Sequence, residues 1–133
     1  MEGMKMKQFM KAVYDHFNAN VKGVTLYNTQ ALKEAEFPYG VMTFIPGVPA
    51  DTSTYRVETG ILQFNVYSNK DLITEILEIR ESIQKAFDHA RKEVIPMADH
   101  ILESCQRDIG IISKEETIWY VMIQYTYRIR MGD

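Results

Sequence analysis

The sequence predicts an α+β fold: a mainly antiparallel β-sheet of about four strands packed against two α-helices, in the order α-β-β-α-β-β, with room for an extra short strand after the first helix. Three observations carry this expectation. Two segments place apolar residues at steps of three and four, the spacing of a helix with one buried face. Two others alternate apolar and polar residues, as a half-buried strand requires. No repeat, low-complexity tract or break in composition divides the chain, so residues 1–133 read as a single domain.

The first helix is expected over residues 4–17, with Met6, Phe9, Met10, Val13 and Phe17 on one side and Lys7, Lys11, Asp15 and Asn18 on the other. Turn-forming residues 18–23 end it. Residues 24–27 suit a short strand, and 28–37 have no period. A strand follows over 38–45, opened by Pro38, because proline is tolerated at a strand's start or edge. Residues 46–56, with two prolines, Gly47 and the polar run Asp51-Thr52-Ser53-Thr54, form a loop longer than an ordinary hairpin needs; such loops are more often functional than decorative. The next strand spans 57–67, with Leu62, Phe64 and Val66 facing one way and Gln63, Asn65 and Tyr67 the other.

Ser68-Asn69-Lys70-Asp71 has the spacing of a capping box, opening a helix whose apolar face is Leu72, Ile76, Ile79, Ile83, Phe87 and Ala90 and which runs until Pro96. Acids crowd its start and bases its end, as the helix dipole favours, and Glu81–Lys85 and Asp88–Lys92 have the spacing of stabilising pairs. A hairpin closes the chain: a weakly patterned strand over 101–112, bulged near Gly110, a turn at 113–116, and a long strand over 117–131. In that last strand Trp119, Val121, Ile123, Tyr125, Tyr127 and Ile129 share one face, and Tyr120, Met122, Gln124, Thr126, Arg128 and Arg130 the other.

Composition narrows the class of function. A chain of 133 residues with 46% hydrophobic residues can bury a core without disulfides or metal. The single Cys105 excludes an internal disulfide framework, and a net charge of −3 argues against a surface devoted to nucleic acid. No signal peptide is read at the start, and the longest apolar run, residues 118–123, is too short to span a bilayer. A cytoplasmic protein without membrane contact is expected.

The search for catalytic chemistry finds little. His16, His89 and His100 have no metal-ligand spacing between them; His16 and His89 fall near helix ends, where solvation suits them. Cys105 as a nucleophile with His100 as its base is weaker than Cys105 as core filler. No serine lies in a nucleophile elbow, the glycines are too scattered for a phosphate cradle, and the carboxylate pairs Glu34/Glu36 and Glu115/Glu116 fall on loops or turns. No enzyme activity, catalytic residue, cofactor or metal is therefore expected. The more informative feature is the outward row Tyr120, Met122, Arg128 and Arg130, since Tyr, Met and Arg are enriched where proteins meet. The competing reading is that these long side chains simply cover a solvated sheet.

In order along the chain, Leu26-Tyr27, Pro38-Tyr39-Gly40-Val41, Phe64-Asn65-Val66-Tyr67-Ser68 with its acidic helix, and Trp119 to Arg130 resemble the small tail terminator (tail completion, or minor tail) proteins of bacteriophages and prophages. That resemblance implies a ring, commonly a hexamer, that caps the tail tube, ends its polymerisation and presents the surface joining tail to head. It implies three partners: further copies of the chain, the tail tube protein and a head-side connector. DNA would pass through the ring without specific binding, and the protein would be found in the host bacterial cytoplasm during assembly and then in the virion tail. A ring closed by head-to-tail contacts needs two different patches on each subunit. The resemblance assigns one to Tyr120, Met122, Arg128 and Arg130 and the other to the long loop with Asp51, Tyr55 and Arg56. Two alternatives stand beside it: a neck or head–tail connector subunit, and a small-molecule-binding α+β domain with an aromatic pocket under Trp119, Tyr125 and Tyr127.

Overall fold

A computed structural model describes residues 2–51 and 55–132, with side chains from Met6 onward. Two helices, α1 (Glu2–Asn20) and α2 (Thr74–Phe87), and five strands, β1 (Thr25–Asn28), β2 (Tyr39–Pro46), β3 (Arg56–Ser68), β4 (Ile101–Glu115) and β5 (Ile118–Met131), follow in the order α-β-β-β-α-β-β. The strands form one sheet in the order β1-β2-β3-β5-β4.

This corrects the expected fold class in count, order and direction. The sheet has five strands where about four antiparallel ones were expected, and it is mixed, because β1 runs parallel to β2 from Thr25↔Tyr39 to Asn28↔Met42. The parallel pair arises because residues 29–38 lead the chain back to the start of the sheet, so β2 sets off in the same direction as β1. Thr29, at φ 72°, makes the first bend and donates its N–H to Met42 O at 2.8 Å.

Both helices cover one face of the sheet. From α1 come Phe9, Val13 and Phe17, from α2 Ile76, Ile79, Ile83, Ala86 and Phe87, and they meet Leu62, Phe64 and Val66 of β3 and Val121, Ile123, Tyr125, Tyr127 and Ile129 of β5. Aromatic rings tie the layers: Phe17 lies 5.4 Å from Phe64, Phe64 4.8 Å from Phe87, and Phe9 4.8 Å from Tyr127. Each such side chain is worth roughly 1.5–3 kcal/mol when fully buried, so these rings dominate the cohesion of the core. Gly60 makes room for one of them. A Cβ there would meet Ile45 O at 2.6 Å and Tyr127 Cζ at 2.7 Å, so only a glycine lets the buried tyrosine lie on the β3 backbone.

The second helix differs at both ends from the sequence expectation. It starts at Thr74, and its N-cap, Ile73, makes no side-chain cap bond. Ser68, expected in a capping box with Asp71, is instead fully buried at the end of β3, where its hydroxyl donates to Glu75 Oε1 at 2.6 Å and accepts from Lys70 N at 3.3 Å. The extra residues before the helix leave Leu72 74% exposed, off the apolar face assigned to it. The helix stops at Phe87, well before Pro96, because Asp88 turns to an extended conformation and His89 adopts φ 58°. Tyr125 Oη donates to Asp88 Oδ1 at 2.7 Å and His89 N–H donates to Cys105 O at 3.0 Å, so contacts across the fold outweigh the helical signal. Ala90 is buried outside the helix, and Asp88 with Lys92 is no helical pair; Glu81 and Lys85 do approach to 3.4 Å.

The hairpin is corrected too. β4 continues through Ser113, Lys114 and Glu115, and the turn is the two residues Glu116 and Thr117, with Glu116 at φ 55°. Gly110 pairs in register with Ile123; the irregularities fall between Leu102 and Ser104 and between Arg107 and Ile109, which makes Glu103 and Asp108 the inserted residues. Two insertions shift the face to which side chains point, and this is why the sequence of β4 shows no clean alternation.

Candidate functional site

Among the described residues no element covers the face of the sheet turned away from the helices, and its side chains are organised. At the hairpin end, cross-strand partners bring tyrosines together: Tyr39 opposes Tyr67, and Tyr67 opposes Tyr120. Tyr39 and Tyr67 stack at 5.0 Å with 28° between the planes, and Tyr67 and Tyr120 lie at 5.3 Å and 35°. Tyr27, at 6.3 Å, and Phe37, at 5.3 Å, extend the row beyond Tyr39. Phe37, Tyr39, Tyr67 and Tyr120 line one side of a groove of about 860 Å³ whose other wall is the hairpin tip, with Ser113, Glu115, Glu116 and Ile118.

The Tyr67 and Tyr120 phenols stay protonated well past neutrality. Burial pushes the Tyr67 hydroxyl above its ordinary range, with Tyr120, Tyr39 and Glu115 adding negative character around it, and burial does the same for Tyr120. The Tyr120 hydroxyl donates to Asn65 Oδ1 at 2.7 Å, Asn65 Nδ2 donates to Gln63 Oε1 at 2.9 Å, and Gln63 Nε2 donates to Gln124 Oε1 at 3.3 Å. This amide ladder runs along the middle of the outer face. Beside it, Met122 is half-buried, and Ile109 and Ile111 of β4 are 48% and 44% exposed. They form an apolar strip on an edge strand, the kind of edge that proteins use or protect.

The far end of the same face is electrostatic. Arg128 Nε donates to Glu103 Oε1 at 2.9 Å, while Arg130 donates to Glu103 Oε2 through Nη2 at 3.0 Å and Nε at 3.2 Å. Desolvation alone would raise the Glu103 carboxyl, but the bonds and charges of the two arginines outweigh it and hold it below its ordinary 4.5. The bulge aims Glu103 at these partners, and the second bulge aims Asp108 at the Thr126 hydroxyl. Arg130 also lies over the Tyr55 ring, 4.5 Å from its centroid. The loop that carries Tyr55 is pinned to β3: Asp51 Oδ1 accepts from Val57 N at 3.0 Å, Ala50 N donates to Val57 O at 3.0 Å, and Thr59 Oγ1 donates to Val48 O at 2.6 Å. Arg56 meets Glu58 at 3.2 Å. Thr52, Ser53 and Thr54 of the expected loop lie outside the described residues.

The seven residues read from the sequence as an assembly surface thus divide. The structure brings Tyr55 and Arg130 into contact and places Arg128 beside them through Glu103. Asp51 and Arg56 hold the neighbouring loop and strand start. Tyr120 lies ten strand positions from Arg130, about 33 Å at the rise of an extended chain, and Met122 sits next to it. Sequence reasoning missed Tyr39, Tyr67 and Phe37, and it missed Glu103. Tyr67 stood on the polar side of its strand's alternation, which was the available signal; the alignment with Tyr39 and Tyr120 needed the register.

The other candidates are structural. Cys105 is buried on the core face, and burial, with Asp88 and Asp108 nearby, pushes its thiol up to about 12. His100 is buried and its Nδ1 accepts from Gly132 N at 2.9 Å. His16, expected in solvent, is half-buried, with Nε2 2.8 Å from Ala86 O and its ring 5.1 Å from Phe87, so it joins the two helices. Tyr125 and Tyr127 are buried core residues, while Trp119 is half-buried with its indole N–H donated to Asp71 O at 3.1 Å. Of the three aromatics assigned to a core-side pocket, none lines the aromatic groove, which lies on the opposite face. Among the described residues no group of three or more His, Cys, Asp or Glu could hold a metal, and no helix is long and apolar enough to cross a membrane.

No family model matches the sequence, and no match was found among curated proteins. Solved structures do share the fold. A chain from the virion of a native gene transfer agent particle superimposes with a TM-score of 0.79 at 11% identity, over 95% of this chain and 97% of that one. A second solved chain, which carries no functional description, gives a TM-score of 0.68 at 15% identity over 100% and 98%. At such identities the likeness is one of fold.

Proposed function

We propose that the chain is a structural subunit of a phage-like particle, a tail terminator that forms a ring on the end of the tail tube, stops its growth and offers the surface to which the head side joins. The observation that carries this reading is the fold shared with a chain of a gene transfer agent virion over nearly the whole of both chains, with no large insertion on either side. It agrees with the resemblance carried by the sequence from Leu26 to Arg130. The work is binding rather than catalysis, done by the outer face of the sheet. Its organised side chains and the exposed Ile109 and Ile111 give a subunit the distinct patches that a head-to-tail ring requires. The partners are further copies, the tube protein and a head-side connector; the sites are the host cytoplasm and then the virion.

The test is the mass of the purified protein by light scattering over a wide range of concentration and salt, with negative-stain images of the heaviest species. A closed ring of about six subunits supports the reading. A closed twofold dimer, whose symmetric contact uses the same patch on both subunits, counts against it. A monomer passes the question to the tube itself.

A further inference from the structure

We propose that successive copies of this chain join by the acidic tip of the β4–β5 hairpin, Glu115 and Glu116, docking into a basic groove of the next copy between α1 and the sheet edge, against Lys7 and Lys11. The proposal rests on the ring reading, for which it names a subunit contact.

The groove lies on the helix side of the sheet, at the edge formed by β1. Lys7, Met10, Lys11 and Tyr14 of α1, Asn28 of β1 and Met42 of β2 line a cleft of about 450 Å³. Steps of three and four put the four helical side chains on one face of α1. Asn28 and Met42 are the last partners in the β1–β2 ladder, so from Thr43 to Pro46 β2 pairs only with β3 and its other edge has no partner strand. Such an edge offers backbone N–H and C=O groups to an extended segment. Tyr14, 39% exposed, and the half-buried Met10 add apolar contact beside it.

Charge selects the segment. Lys7 is exposed and makes no ion pair among the described residues, and Lys11 meets Asp15 in a pair exposed at both ends, which holds it weakly. Three other lysines are engaged elsewhere: Lys85 meets Glu81, Lys114 lies over the Trp119 ring, and Lys70 lines a cleft with Asp71, Glu75 and Glu78. On the acidic side, Glu103 is held by Arg128 and Arg130, and Glu58 by Arg56. Glu115 and Glu116 are exposed and form no ion pair among the described residues. They stand at the end of two long paired strands, and the β4 arm that carries Glu115 is itself an edge strand, paired only with β5.

A second copy supplies the tip. The strands β1 and β4 are opposite edges of the sheet, four strand spacings or about 19 Å apart. The tip stands beside the tyrosines of the outer face, while the groove opens on the helix side. A copy therefore does not fill its own groove. One acidic patch and one basic patch at opposite edges repeat head to tail, the arrangement from which a closed ring is built.

The experiment is a charge reversal of each half of the contact, read by amide NMR on the whole protein over a concentration series. Glu115→Lys/Glu116→Lys sets a basic tip against a basic groove, and Lys7→Glu/Lys11→Glu sets an acidic tip against an acidic groove; all four side chains are exposed. Each variant alone should self-associate at least about tenfold more weakly than the parent. Mixed in equal amounts, the two regain opposite charges at every contact. The mixture should show saturable shifts at Lys7, Met10, Tyr14 and Thr43 of one variant and at residues 115–117 of the other. Three results would overturn the proposal: either variant associating as strongly as the parent, no shifts in the mixture at the solubility limit, or groove shifts without tip shifts, which would give the groove to another segment. Rings that persist in both variants would remove this contact and leave the ring reading standing. Restored association in the mixture, with a parent that never caps tail tubes, would keep the contact and remove the terminator reading.

Discussion

Gly60→Ala isolates the closest approach in the core. The added methyl would stand 2.6 Å from Ile45 O and 2.7 Å from Tyr127 Cζ, both below any real contact of a Cβ. Neither neighbour can yield cheaply. Ile45 pairs with Ile61 in the β2–β3 ladder, and the Tyr127 ring is held between Phe9 at 4.8 Å and Phe44 at 6.5 Å. Overpacking of this kind costs about 1–3 kcal/mol, and the upper half of that range applies because one of the two contacts is paired backbone. Replacing a strand glycine returns about 0.5–1 kcal/mol, which leaves a net loss of about 2 kcal/mol. Gly110→Ala is the control: its Cβ would lie 3.6 Å from Met122 O, an ordinary contact, so that variant should gain about 0.5 kcal/mol. Urea unfolding reads both as a shift in midpoint at unchanged slope. A Gly60→Ala midpoint indistinguishable from the parent's would refute the packing argument for Tyr127 on the β3 backbone.

Glu103→Gln should cost about 1 kcal/mol, since it weakens two half-exposed arginine contacts on the outer face. Because the folded Glu103 carboxyl lies below its ordinary 4.5, its contribution is present above that value and is lost as pH falls through the depressed one; the parent should lose its advantage over the variant in acid unfolding below pH 4.5. Cys105, buried with a thiol near 12, should react with a thiol reagent only as fast as the protein opens, and at once in denaturant; rapid labelling of the native protein would contradict its place on the core face. Tyr120→Ala and Arg128→Ala should each leave the protein folded yet reduce tail assembly, and assembly at the parent's level with both changed would remove the last strand from the proposed interface.

The helical and strand periodicities were legible because they come from burial on one face: Phe9, Val13 and Phe17, or Leu62, Phe64 and Val66, point where their spacing says. What the chain did not disclose was whatever depends on a second segment. Ser68 and Asp71 have capping spacing, but Glu75 takes the Ser68 hydroxyl once β3 has buried it. Asp88 ends α2 because Tyr125, on a strand formed much later in the sequence, catches its carboxylate. β1 is four residues long and gains its pairing only from β2, so the expectation of a mainly antiparallel sheet of about four strands, with room for an extra short one, missed a mixed five-stranded sheet. At the candidate site the outward row of β5 was legible, and its meaning was divided by partners outside that row. Glu103 turns Arg128 and Arg130 from free cations into a closed cluster, and Tyr39 and Tyr67 turn Tyr120 from one exposed ring into a groove.

The measurement that decides the terminator reading is the length of tail tubes grown with and without this protein, followed by electron microscopy of their ends. Added protein should halt growth at substoichiometric ratios to tube subunits and leave a ring-shaped cap on one end of each tube. Tubes that grow to the same length, with bare ends, in the presence of excess folded protein would contradict it.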